Sequence, residues 1–177
     1  LAKGELLGAY CLTEPNAGSD AAALRTTAVA KGGDYVLDGT KLFVTNGAEA
    51  GLFIVYARTD PSASKASGIS AFLVPRETKG VRVGKKEKKT GIRGSSTTDL
   101  GFQNVKVPAA NVLGRKGEGL KLALTVLDTG RLSLGACCVG AAKRMLAAAA
   151  GHASERQPGL IVVEDAAHAH GASLKGK

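Results

Sequence analysis

The 177-residue sequence predicts a mainly β protein with a long helical extension. Two observations carry that expectation. Between residues 7 and 112, short β-rich runs are separated by Gly, Asn, Asp and Pro, the rhythm of an all-β barrel or sandwich. Between residues 118 and 156, Leu120, Leu124, Leu127, Arg131, Leu134 and Cys138 recur at helical spacing, and residues 141–150 are alanine-rich.

Within the β zone, Tyr35-Val36-Leu37 and Leu42-Phe43-Val44-Thr45 flank Asp38-Gly39. Asp-Gly supplies the positive φ angles of a tight turn, so the segment reads as a hairpin. Asn46-Gly47 ends its second strand. Residues 52–57 and 69–74 are continuous apolar runs and read as buried strands, the second stopped by Pro75. Residues 81–83, 100–102 and 105–107 are shorter candidates. In the helical zone, Gly135 and Gly140 suggest close packing against a neighbour. Apolar residues on several sides of this helix predict self-association.

The hydrophobic share is 44% and the charged share 22%, ordinary for a globular chain. The net charge of +9 attracts polyanions. Its one cluster, Arg82, Lys85, Lys86, Lys88 and Lys89, lacks interleaved aromatics and reads as a solvated loop, which argues against nucleic acid. Cys11, Cys137 and Cys138 form neither a zinc pattern nor a disulfide framework, so a reducing compartment fits. No metal site is expected; His168 and His170 lack further ligands. No uninterrupted apolar run is long enough to span a bilayer, so membrane association is not indicated.

The segment Tyr10-Cys11-Leu12-Thr13-Glu14-Pro15-Asn16-Ala17-Gly18-Ser19-Asp20 carries the most chemistry. Pro15 fixes φ and Gly18 frees it, so the chain turns sharply. Thr13, Ser19 and backbone N–H groups there suit anionic or carbonyl oxygens. Four ordered segments follow it: Asp38-Gly39-Thr40-Lys41-Leu42-Phe43-Val44-Thr45-Asn46-Gly47, then Lys89-Thr90-Gly91-Ile92-Arg93-Gly94-Ser95, then Val105-Lys106-Val107-Pro108 with Asn111-Val112-Leu113-Gly114, then Gly117-Glu118-Gly119-Leu120-Lys121 leading to Leu127-Asp128-Thr129-Gly130-Arg131. In this order the set resembles the acyl-CoA dehydrogenase family over residues 1–157. The Glu87-Lys88-Lys89 stretch looks most like its very-long-chain branch.

The resemblance implies a middle-domain β-barrel over residues 1–114, the first helix of a truncated C-terminal α-bundle over residues 115–157, and an unmatched tail over residues 158–177. It implies FAD as cofactor, fatty acyl-CoA as substrate and an electron-transferring flavoprotein as partner. It also implies a homo-oligomer in the full-length enzyme, in bacterial cytoplasm or mitochondrial matrix. Tyr10, Cys11, Leu12, Thr13, Gly18 and Ser19 match one stretch along the flavin, with Leu12 and Thr13 at its pyrimidine edge. Phe43, Val44 and Thr45 match the other, with the Thr45 hydroxyl near N5; many members carry Trp where this chain has Phe43. Ser19, Asp128, Thr129, Gly130 and Arg131 match substrate positions, Asp128 accepting from a pantetheine amide. A non-catalytic β-domain that binds acyl-CoA or a partner, and a related acyl-CoA oxidase, are the alternatives.

Two departures stand out. One subgroup places its catalytic Glu where this chain has Gly130, and most members place it far downstream, so no catalytic base is expected in this chain. Glu14 belongs to the turn motif. The tail resembles pyridoxal-phosphate sugar aminotransferases instead: Glu164-Asp165-Ala166-Ala167 matches their strand end, with Asp165 at the pyridinium partner's position. It reads as a joining artefact, a frameshifted end or a fusion scar. The 177-residue chain, mixed with FAD, palmitoyl-CoA and an electron-accepting dye, is expected to leave the dye oxidised; robust reduction contradicts the assignment of the base.

Overall fold

The computed structural model describes residues 1–63 and 66–156. The tail, with Asp165, His168 and His170, lies outside them. The described chain contains eight strands: β1 (Gly8–Cys11), β2 (Thr27–Lys31), β3 (Asp34–Thr45), β4 (Leu52–Arg58), β5 (Ile69–Pro75), β6 (Val81–Lys86), β7 (Thr97–Pro108) and β8 (Val112–Leu113), then one helix, α1 (Gly119–Arg156). The strands make one curved, barrel-like sheet in the order β6-β7-β3-β2-β4-β5-β8, with β1 added parallel to β4. The expected β architecture with a helical extension is therefore present.

Its interior is a single cluster drawn from both ends of that order. Cys11, Leu37, Val44, Phe53, Val55, Phe72, Val74, Leu100 and Val105 all meet inside. The outer faces of β4 and β5 are covered as well. There Tyr56, Ile69 and Ala71 pack with Leu12, Ala17 and Leu24 from the loop after β1, and with Leu120 and Ala123 from the start of α1. Double-sided burial explains why these two strands are continuous apolar runs rather than alternating ones.

The expected hairpin at Asp38-Gly39 is not there. These residues lie inside β3. Leu37 pairs with Val105 while Gly39 pairs with Phe102, so β7 carries one extra residue between them. The Asp38 carboxylate accepts a hydrogen bond from the Asn104 amide at 2.7 Å, and Asn104 takes a φ of 51°. Asp38 thus fastens a β-bulge instead of opening a turn. Gly39 is needed for close approach: a Cβ would stand 2.8 Å from the Thr26 backbone. The true hairpin turn is Gly32-Gly33, both at positive φ, joining β2 to β3. Residues 100–102 and 105–107 prove to be parts of one long β7, and β1 and β2 were not anticipated.

The chain divides into two compact units, Leu1–Asp128 and Thr129–Lys177. In the second, the described residues are helical through Arg156, and Leu132, Leu134, Val139, Met145 and Leu146 are exposed. Added Cβ atoms on Gly135 and Gly140 would meet nothing within 4 Å. The close packing expected there has no counterpart among the described residues. By length and composition alone, α1 is long and apolar enough to cross a bilayer. Scattered charges such as Arg131 and Lys143 break the uninterrupted run without removing that property.

Gly39→Ala is expected to cost about 1–3 kcal/mol in urea unfolding, from steric overpacking against Thr26. Gly101→Ala, whose Cβ would meet only Arg82 atoms at 3.7 Å, should shift the midpoint little.

Candidate functional site

The site begins with a charge inside the protein. Lys41 sits on β3 with no solvent exposure. An unpaired buried ammonium costs several kcal/mol, so its partners dictate local structure. Its Nζ donates to Glu14 Oε1 at 2.6 Å and to the Leu12 carbonyl at 3.1 Å. The Glu14 carboxylate also accepts from the amides of Arg25, at 2.6 Å, and Thr26, at 3.0 Å. Burial alone would raise the Glu14 pKa. The Lys41 charge and the bonds from Lys41, Thr26 and Arg25 outweigh it and hold the carboxyl below its ordinary value. Burial pushes the Lys41 ammonium down, opposed by Glu14. Glu14 is therefore held as a carboxylate inside the fold by three donors, all from the protein itself.

This pair ties the loop after β1 to the end of β3. A second tie is the Leu42 amide, which donates to the Thr13 carbonyl at 2.8 Å. Between the ties the loop closes on itself, with Glu14 and Ala17 exchanging both backbone hydrogen bonds across Pro15-Asn16. Just beyond Leu42, β3 bulges: Lys41 pairs with Leu100 and Val44 with Thr98, leaving one extra residue on β3. Phe43 takes a φ of 54° in that bulge and leaves its ring 65% exposed. A bulky residue in left-handed backbone is strained, and such strain concentrates at functional sites. The two expected cofactor stretches thus meet at one surface.

Within that surface, the residues divide by what they can offer. Thr13 is half-buried, while Gly18, Ser19 and Thr45 are exposed. Leu12 is nearly covered, within the outer core. Cys11 and Val44 point their side chains into the barrel, and burial pushes the Cys11 thiol up to about 12. Any ligand contact by those two is through the main chain. Tyr10 turns its ring onto Tyr56, centroids 5.0 Å apart, and its hydroxyl donates to the Ala123 carbonyl of α1 at 3.2 Å. Burial raises its pKa.

Asp128 lines a groove of about 430 Å³ with Ser67, Leu120, Leu124 and Thr125. Ser19 lies outside that lining; Thr129, Gly130 and Arg131 fall in the second unit. The basic cluster borders another cleft, where Lys86 pairs with Glu49 at 2.5 Å and Lys89 Nζ donates to the Ser95 carbonyl at 2.5 Å. The sequence reading missed the Lys41–Glu14 pair as a unit. Its signal was a lone lysine between Leu37 and Val44, both facing the barrel interior.

The acyl-CoA dehydrogenase middle domain matches residues 9–105. The chain belongs to the acyl-CoA dehydrogenase family. An acyl-CoA dehydrogenase of Bacillus subtilis is 48% identical over 88% of this chain and 41% of its own length. The human short-chain specific enzyme is 46% identical over 86% of this chain and 37% of its own. Among solved structures, butyryl-CoA dehydrogenase of Megasphaera elsdenii superposes with a TM-score of 0.80 at 46% identity, covering 88% of this chain and 41% of that one. The prolyl acyl carrier protein oxidase AnaB superposes at 0.64 with 40% identity, over 66% of this chain and 30% of its own. The chain thus spans about two fifths of the length of these three dehydrogenases.

Lys41→Met leaves Glu14 as an unpaired buried carboxylate and should destabilise the domain by about 3–5 kcal/mol in urea unfolding. The pH dependence follows from Glu14. Its folded pKa lies below the ordinary Glu value of about 4.3, so its contribution is complete above that value and is lost as pH falls through the folded one. Thermal stability should therefore fall steeply below about pH 4, and Glu14→Gln should flatten that limb. An unchanged limb contradicts the assignment.

Proposed function

We propose that this chain is the flavin- and acyl-CoA-binding part of an FAD-dependent acyl-CoA dehydrogenase. Leu12, Thr13, Phe43 and Thr45 lie along the isoalloxazine ring in this reading, with main-chain contacts from Cys11 and Val44 and with Tyr10, Gly18 and Ser19 framing the rim. Asp128 takes the pantetheine of a fatty acyl-CoA in the same reading, and Ser19 is a further substrate contact.

The observation that carries the reading is the bond from Leu42 to Thr13. It brings a threonine hydroxyl, a turn of backbone and a projecting aromatic ring to one face. That donor set suits a flat heteroaromatic group with a polar edge, so the residues fit FAD. Bound there, FAD supplies the acceptor for the β-hydride in α,β-dehydrogenation of the thioester. The protein's share is orientation: Phe43 covers the ring, and Thr13 and Thr45 donate to its polar atoms. A base elsewhere in the complete enzyme takes the α-proton, since Glu14 is committed to Lys41. The apolar surface of α1 fits a helical bundle, and an electron-transferring flavoprotein fits as electron acceptor.

The groove at Asp128 favours a second reading, a β-domain that binds acyl-CoA without flavin chemistry. The match to AnaB keeps an oxidase within reach of the same scaffold.

Titrating FAD with the chain should quench flavin fluorescence saturably at one FAD per chain. Phe43→Gly should leave stability near its starting value, because it relieves a left-handed residue whose ring is exposed, yet weaken FAD binding. Absent quenching with intact acyl-CoA binding supports the second reading.

A further inference from the structure

We propose that Lys41 is a positioning residue for the flavin-facing backbone, acting through the Leu12–Thr13 peptide rather than by touching the ligand. The inference rests on the flavin reading above and assigns a task to a buried charge that reading does not use.

Peptide planarity couples the Leu12 carbonyl to the Thr13 N–H. A trans peptide points its C=O and the following N–H in opposite directions. Lys41 Nζ holds the Leu12 carbonyl at 3.1 Å on the protein side, so the Thr13 N–H is turned away from Lys41. One residue on, the Leu42 amide holds the Thr13 carbonyl at 2.8 Å. Both carbonyls of the dipeptide are thus anchored to consecutive residues of β3. The donor between them is left with one direction, away from the strand. Without Lys41, the Leu12 carbonyl has no protein donor from β3, and the peptide is free to rotate.

Glu14 has a separate task. It keeps the ammonium in place and, through the Arg25 and Thr26 amides, fixes the far end of the same loop. The pair is closed to solvent, and its partners are all within the loop and β3. A merely stabilising ion pair could be replaced by neutral residues of similar shape without loss. A positioning lysine could not, because no neutral apolar side chain donates to Leu12.

The double variant K41M/E14Q separates these roles. Met keeps the length and apolar stem of Lys, and Gln keeps an acceptor for the loop amides. Hydrogen exchange at the Leu42 amide reports whether Thr13 stays docked, while amides of β4 and β5 report the barrel. Exchange at Leu42 should accelerate at least tenfold with β4 and β5 protection unchanged, and FAD affinity should fall at least tenfold. Leu42 exchange and FAD affinity both within twofold of the unmodified chain would overturn the proposal. Loss of β4 and β5 protection also overturns it, since the pair would then be a determinant of global folding. If the unmodified chain fails to quench FAD, the flavin reading fails, and the Leu42 exchange rate alone decides the role of Lys41.

Discussion

A fully buried lysine and its carboxylate partner organise the face on which the proposed function depends. The ion pair between Lys41 and Glu14 joins two stretches separated by 27 residues in sequence. One is an irregular loop with little regular hydrogen bonding of its own; the other is the end of a long strand. Desolvating two charges is costly, and further hydrogen bonds to both groups offset that cost. Leu12, Arg25 and Thr26 supply those partners from the loop itself. The loop therefore cannot leave the strand without exposing or orphaning a charge. That constraint turns a flexible connection into a fixed surface.

The barrel supplies the other half of the geometry through its irregularities. A uniform β3 would send alternate side chains to opposite faces of the sheet and leave no room for a projecting ring. The extra residue near Phe43 breaks that alternation and aims the ring outward, while Val44 returns to the core. A second bulge, on β7 and fastened by Asp38, adjusts the opposite end of β3. Gly39 passes close to Thr26 between them, where no side chain fits. Strand β3 is thus pinned at both ends, and the loop docks onto a rigid edge.

Sequence patterns exposed the architecture unevenly. The doubly buried strands β4 and β5 were legible because burial on both faces removes polar interruptions. The helix was legible because its leucines and alanines recur over ten turns. The hairpin was misplaced because Asp38-Gly39 satisfies turn chemistry locally, whereas its actual partner, Asn104, lies 66 residues away. Strand β2 escaped notice because only Ala28 of its five residues is buried, leaving no apolar pattern. At the site, ordered motifs singled out the two stretches as candidates, and the structure adds what motifs cannot carry: Cys11 and Val44 face inward, Tyr10 is tied to α1, and Lys41 bonds to the loop. The last left only a faint signal, because a lone lysine in a strand is ordinarily a solvated one.

The account stands on the joint action of residues 12–19 and residues 43–45 as one binding face. Backbone amide resonances recorded during an FAD titration test this most directly. The account predicts that Thr13, Gly18, Ser19, Phe43 and Thr45 shift together along a single saturation curve, while Val81 and Val83 on β6 stay still. Shifts confined to one of the two stretches, or centred on the basic cleft near Arg93, would contradict it.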